Sequence, residues 1–424
     1  MLTAKDPSRF AYFRKLDLPL RLPPDSSYVQ RLLTDLLLHP SLSLETVILD
    51  CATSLLDRTS PCGLASVRGI LWTIQTLRHL VILRVGEASA SLIQSLLSKL
   101  ESITIGVGAD AGGRLDVMSI LRPFSDTLQT ILIKWTPSLL PPFPRTDAGS
   151  CYFPLVRTLG IVVSDYSVLK LLASPAFSRA FPAVSHFQLI PADPPTGLYR
   201  LYPHRERQVS RLDQIREGNR ALRSQRLDTG TRPAPSLPNL KECSGALNDV
   251  YASGLDCSLS TLRLWQHLLV RDLDLLCMVL EDTRPQRLCF STRVDDVRQV
   301  LDLLGALRTH VPTHIDMTIS VARSSWLARV LKGPDDMPRV NRSFLESSLR
   351  YLPTGLVELN IDVSAVIPLG DRSAVRDVLE RFTCWTLKAA PGVALTCRLA
   401  ADEDWKWPDL GQEDDLEHIL RPGP

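Results

Sequence analysis

Val156-Arg157-Thr158-Leu159-Gly160-Ile161 restates a phrase that occurs 28 residues earlier as Leu128-Gln129-Thr130-Ile131-Leu132-Ile133. It returns 28 residues later as Val184-Ser185-His186-Phe187-Gln188-Leu189. Leu100-Glu101-Ser102-Ile103-Thr104-Ile105 opens the series, so the starts fall at 100, 128, 156 and 184. Apolar residues hold the first, fourth and sixth places each time. A fixed period of this size is the mark of a repeat solenoid. One unit cannot bury its apolar face alone, so neighbours stack and share a core.

The pattern is the L-x-x-L-x-L of leucine-rich repeats. Upstream it reads Phe13 to Leu18, Leu44 to Leu49 and Leu80 to Val85. Downstream it reads Leu259 to Leu264, Pro285 to Phe290, His314 to Ile319, Leu356 to Ile361 and Gly392 to Cys397. Alternation rich in Ile, Val and Leu predicts half-buried strands. Between them, Val294 to Leu304 places apolar residues three and four apart, as an amphipathic helix requires. Leu92–Leu100, Val117–Leu128, Leu273–Leu280, Phe344–Leu352 and Ala374–Phe382 read the same way. The expected fold is α/β: an irregular leucine-rich-repeat solenoid with a parallel concave sheet and helices on the convex side. A doubly wound α/β sheet also alternates strand and helix, but has no reason to repeat the phrase.

Composition fits a soluble protein. Of 424 residues, 45% are apolar and 22% charged, near globular averages. A net charge of +2 gives the chain as a whole no field for nucleic acid. No apolar run reaches the length of a membrane span; Asp35 breaks the Leu-rich stretch Arg31–Leu38. The N-terminus has no secretory apolar core, so the expected location is cytoplasmic or nuclear. Nine scattered cysteines, with no C-x-x-C pair, read as structural thiols of a reducing compartment.

Two segments leave the rhythm. Residues 191–238 are rich in Pro and Arg and read as an insertion or a degenerate repeat, with Leu212-Asp213-Gln214-Ile215 where a strand phrase was due. As an insertion, the segment is expected to be mobile. Its basic patch comprises Arg205, Arg207, Arg211, Arg216, Arg220, Arg223 and Arg226. Such a patch suits phosphate or an acidic partner. Residues 401–424 carry eight acids and two tryptophans and read as an acidic tail or cap of the 1–400 solenoid.

Catalytic motifs are not found: no H-E-x-x-H, no G-x-S-x-G, no G-K-S/T loop. Gly106-Val107-Gly108 onward is one residue off the dinucleotide fingerprint and reads as a turn. No metal site, cofactor or enzyme activity is expected. Within the repeat, the x positions face out of the sheet. That stripe reads Glu45, Thr46, Ile48, Asp50, then Glu101, Ser102, Thr104, then Gln129, Thr130, Lys134, then Arg157, Thr158, then Ser185, His186, Gln188. Farther on it reads Arg263, Trp265, Gln286, Arg287, Asp316, Glu358, Asn360 and Asp362. Trp and Arg most often carry interface energy. The candidate partner-binding residues are therefore Lys134, Trp135, His186, Arg263 and Trp265. A non-catalytic protein-interaction scaffold is the expected function. The alternative is a binder of nucleic acid or of a phosphorylated or acidic partner through residues 200–232.

The irregular copies, with phrases such as Asp116-Val117-Met118-Ser119-Ile120-Leu121 before Leu128-Gln129-Thr130-Ile131, resemble the leucine-rich-repeat regions of fungal F-box-type proteins. So does the opening Arg9-Phe10-Ala11-Tyr12-Phe13-Arg14-Lys15-Leu16-Asp17-Leu18. The resemblance implies a substrate-recognition receptor of a ubiquitin ligase, and a cullin-ligase adaptor as partner. In that family a separate helical F-box binds the adaptor. This chain starts almost at its first repeat, so no F-box is expected. The ninth repeat positions are Gly108, Thr136, Ser164 and Ala192 rather than the family's asparagine.

Overall fold

Thirteen β-strands follow one another in the computed structural model, each beginning two residues into its repeat phrase. Described are residues 12–18, 42–49, 74–107, 116–134, 152–163, 167–173, 175–191, 205–224, 237–294, 307, 312–321, 355–365 and 392–400. The chain divides into two compact units: Met1–Ala192 with Ala221–Asn239, and Asp193–Arg220 with Leu240–Pro424.

The first unit holds β1 (Lys15–Leu18), β2 (Thr46–Leu49), β3 (His79–Val85), β4 (Ser102–Val107), β5 (Thr130–Lys134), β6 (Thr158–Val163) and β7 (His186–Pro191). Each pairs parallel with the next in chain order. A doubly wound sheet would reverse its strand order at a switch point. Unbroken order is that of a solenoid, so the unit is an α/β stack of leucine-rich-repeat type. The second unit repeats the arrangement with β8 (Glu242–Gly245), β9 (Thr261–Leu268), β10 (Arg287–Val294), β11 (His314–Val321), β12 (Glu358–Ala365) and β13 (Ala394–Ala400).

Register puts the fourth and sixth places of every phrase in line. Ile103, Ile131, Leu159 and Phe187 form one row, and Ile105, Ile133, Ile161 and Leu189 the next. All eight are buried. The helices between strands close the core: α1 (Glu87–Ser95), α2 (Val117–Leu121), α3 (Ser167–Leu172) and α4 (Pro175–Ala180) in the first unit. In the second unit they are α5 (Arg205–Ser224), α6 (Leu247–Ser253) and α7 (Leu273–Thr283). The expected helices at 344–352 and 374–382 lie outside the described residues, as does 295–304; Val294 itself ends β10.

Backbone bonds cross from each second place to the next repeat. The Arg14 carbonyl accepts from the Glu45 and Thr46 N–H groups, Glu45 from Arg78 and His79, and Arg78 from Glu101 and Ser102. Glu101 and Gln129 continue the series toward Gln129–Thr130 and Arg157–Thr158. Thr76 and Thr127 hydroxyls donate to the Leu44 and Leu100 carbonyls at 2.8 and 2.7 Å. The expected asparagine positions, 108, 136, 164 and 192, lie outside the described residues. On the same edge Arg14 pairs with Glu45 at 2.8 Å, and Arg78 with Glu101.

Three sequence expectations are corrected. The copy read from Leu80 is out of phase: pairing aligns Leu80 with Val47 and Ile103, so the phrase is Leu77-Arg78-His79-Leu80-Val81-Ile82. The copy read from His314 starts at Pro312, because Ile315 aligns with Leu288 and Leu359. Leu212–Ile215 is not a strand phrase; it belongs to α5. That helix is packed, with Leu212 and Asn219 buried. The Asn219 amide donates to the Ala252 carbonyl at 2.8 Å.

The first unit's outer face also departs from a plain solvated stripe. In its middle row, the fifth place, Val81, Thr104, Leu132 and Gly160 are buried, while Ile48 and Gln188 beside them are half-buried and Asp17 is exposed. Thr104 is 2% exposed and Leu132 4%. Gly160 makes room for its neighbour, since a Cβ there would lie 2.5 Å from Leu132 Cδ1. At Gly106 a β-bulge in β3 displaces Leu83–Arg84. A Cβ on Gly106 would meet the Leu83 carbonyl oxygen at 2.0 Å, so only glycine fits this close approach.

Candidate functional site

The outer face of the second unit has a different chemistry. Leu262, Leu264, Leu288, Phe290, Ile315, Met317 and Leu359 turn inward and are buried. The residues between them point the other way, as strand alternation requires. Arg263, Cys289, Asp316 and Asn360 thus form the fifth-place row across β9, β10, β11 and β12. Arg287, His314 and Glu358 form the third-place row beside it.

These side chains form one polar network. Arg287 donates to both Asp316 oxygens, Nε at 2.6 Å and Nη2 at 3.0 Å. The Asn360 amide bridges Asp316 Oδ1 at 2.8 Å and Glu358 Oε1 at 2.6 Å. His314 Nε2 lies 3.7 Å from Glu358 Oε2, and its Nδ1 lies 2.8 Å from the Thr313 hydroxyl. Burial alone pushes the Asp316 carboxyl up; hydrogen bonds from Arg287, Asn360 and Cys289, with the Arg287 charge, hold it below its ordinary value. It is an anion at neutral pH.

Cys289 donates its thiol to Asp316 Oδ2 at 3.2 Å. Burial first, then that hydrogen bond, pushes the thiol up to about 11. A nucleophilic cysteine needs the opposite shift, so this thiol is a hydrogen-bond donor and not a reactive one. Cys243, Cys257 and Cys277 are also free thiols; burial raises Cys243 and Cys277 as well. Among the described residues no group of three or more His, Cys, Asp or Glu could hold a metal ion.

At the β9 end, Arg263 is exposed and makes no ion pair among the described residues. Trp265 stands two residues on, half-buried. It sits in a bulge: Arg263 faces Cys289 and His267 faces Ser291, so Leu264–Gln266 spans more chain than the partner strand. Bulges re-aim side chains and are frequent beside functional sites.

Of the expected site residues, Arg263 and Trp265 come together on β9. Lys134 and His186 belong to the first unit, Lys134 exposed at the end of β5 and His186 at the start of β7. Two strands and four residues separate them, about 16 Å, so they do not form one site. The Ser185 hydroxyl lies 2.8 Å from His186 Nδ1. Trp135 lies outside the described residues. Sequence reading missed two members of the network. His314 opens β11, and Cys289 is buried yet reaches Asp316 on the polar side. Cys289 alternates with Leu288 and Phe290, and that alternation was the signal that places it on the polar face.

The basic patch is corrected in part. Arg216 stacks on Tyr251, 4.5 Å from the ring centre, and donates to Asp282 at 2.5 Å. Arg220 pairs with the same carboxylate, and the Tyr251 hydroxyl donates to Asp213 at 2.5 Å. These arginines fasten α5 to α6 and α7. Burial works against the Arg216 charge, but Asp282 and Tyr251 outweigh it and raise the pKa. Arg211 is exposed. Arg205, Arg207 and Arg223 lie on α5 with their side chains outside the described set, and Arg226 lies outside it altogether.

No helix of the described residues is long and apolar enough to cross a membrane. No family model matches the chain. No curated protein matches it either. Among solved structures it is similar to the leucine-rich repeat-containing protein LegL7 from Legionella pneumophila, at 13% identity over 80% of this chain and 95% of that one, with a TM-score of 0.36.

Proposed function

We propose that the chain is a non-catalytic protein-binding scaffold whose recognition surface is the outer face of β9–β12. One observation carries this reading: a charged row from Arg263 to Asn360, with Trp265 beside it, stands on four consecutive paired strands. Side chains held on sheet backbone need little ordering on binding, which favours recognition. Arg and Trp supply the anchor types that dominate protein interfaces. The protonated Cys289 thiol supports binding over nucleophilic chemistry. The alternative through the arginine segment is weakened, because Arg216 and Arg220 are engaged by Asp282. A substrate receptor for a cullin ligase, in cytoplasm or nucleus, is a narrower form of the reading. It rests on the sequence resemblance alone.

Affinity purification with mass spectrometry tests the reading, comparing wild type with Arg263→Ala/Trp265→Ala. Proteins recovered by the wild type and lost with the double variant, at equal thermal stability, are the expected result. An identical set from both would overturn it.

A further inference from the structure

Resting on that reading, we propose that this face recognises a protein segment of bipolar charge, with a carboxylate over Arg263 and Trp265 and a Lys or Arg over Glu358. The network is neutral in its middle, with Arg263 at its β9 end and Glu358, from the adjoining third-place row, at its β12 end. Arg287 and Asp316 cancel through two hydrogen bonds. Asn360 links that pair to Glu358 without adding charge. Among the described residues the Arg263 guanidinium on β9 makes no ion pair; at the other end the partly exposed Glu358 carboxylate on β12 touches the Asn360 amide and the His314 ring and lies within the field of Arg287.

β9 and β12 are three strand spacings apart, about 14 Å at about 4.8 Å each, and Glu358 lies two residues, about 7 Å, along its strand from the level of Arg263, so the poles are about 16 Å apart. An extended chain rises about 3.3 Å per residue, so about five residues laid diagonally across the strands connect the two poles. The complementary segment is therefore an acidic residue and a basic residue about five positions apart. Trp265 offers an amphipathic surface beside the acidic end. A nucleic-acid strand fits poorly, because Asp316 and Glu358 would face its phosphates. Complementary charge of this kind sets orientation and excludes wrong partners more than it adds affinity.

The test is selection of short random displayed peptides on the full chain, followed by titration of a selected synthetic peptide against Arg263→Glu, Glu358→Arg, the double variant and Trp265→Ala. Melting curves confirm that each variant is folded, and Arg263→Gln serves as the milder change. Expected is enrichment of acid and base about five residues apart, with each reversal weakening binding about tenfold. The double reversal should then prefer the charge-inverted peptide. Enriched peptides that need Trp265 but ignore both reversals would overturn the charge rule and leave the binding surface standing. Peptides indifferent to all of these variants would overturn both. Failure to enrich any peptide, or tighter Arg263-dependent binding of an oligothymidylate probe, would also overturn the bipolar proposal.

Discussion

Asp249 supplies a sharp test of the second unit's energetics. It lies in the first turn of α6, is buried, and burial alone pushes its carboxyl from 3.8 up to about 7. The unfolded chain releases this proton near pH 3.8 and the folded chain near 7, so the folded state holds more protons between them. The group therefore favours folding fully below pH 3.8, and that contribution is lost as pH rises through 7. The gap of about 3.2, at about 1.36 kcal/mol per pH unit, is about 4 kcal/mol.

Asp249→Asn removes the titration at nearly constant shape. Urea unfolding of wild type and variant at pH 5, 6, 7 and 8 isolates the group as a difference. The variant should gain on the wild type by about 2 kcal/mol between pH 5 and pH 8, with little further change above that. A difference that is flat across this range would refute the reasoning and show that Asp249 meets a compensating group in the folded state.

The core rows make the strand register testable: Ile131→Ala or Leu159→Ala should each cost about 2–5 kcal/mol in denaturant titrations, and Gln129→Ala under about 0.5. Asp282→Ala strands Arg216, whose side chain is 13% exposed, so it should cost about 3 kcal/mol and open α5 to trypsin at Arg216 and Arg220. Gly106→Ala drives a methyl into the Leu83 carbonyl and should lower stability by about 1–3 kcal/mol, read as a drop in melting temperature. Thr104 carries a buried hydroxyl with no partner among the described residues, so Thr104→Val should be neutral or stabilising by about 1 kcal/mol in the same assay.

The repeats were legible because stacking allows only apolar residues at the fourth and sixth places, and the chain keeps them there. Phase was legible only where polar residues frame the apolar ones. From Leu77 to Val85 apolar residues are nearly continuous, so two phases fit the sequence; the carbonyl of Glu45, accepting from Arg78 and His79, selects one. At Pro312 the leading leucine is replaced, and the phrase slipped by two places. Helix α5 was illegible for another reason. Its packed face carries Leu212, Arg216 and Asn219, and two of those three are polar, so apolar periodicity gives no helical signal. Its partners Asp282 and Tyr251 lie far along the chain, and nothing local to either segment announces the pairing.

The site was legible as positions and not as a network. Strand alternation put Arg263, Trp265, Arg287, Asp316 and Glu358 on one face, but only parallel register sets Arg287 against Asp316 and Cys289 between them. The fifth place also shows how far a scaffold decides function. In the first unit Val81, Thr104, Leu132 and Gly160 hold that position on β3–β6 and are buried, between exposed Asp17 with half-buried Ile48 on one side and half-buried Gln188 on the other. On β9–β12 of the second unit it holds Arg263, Cys289, Asp316 and Asn360, a polar row in which Arg263 and Asp316 are charged. Repeat stacking imposes apolar identity on the inward rows alone, because those side chains must fill a shared core. The outward row is not held to one chemistry by the repeat, since it is apolar and buried on β3–β6 and polar on β9–β12. The difference between these two rows, on one repeated backbone, is what directs the binding proposal to β9–β12.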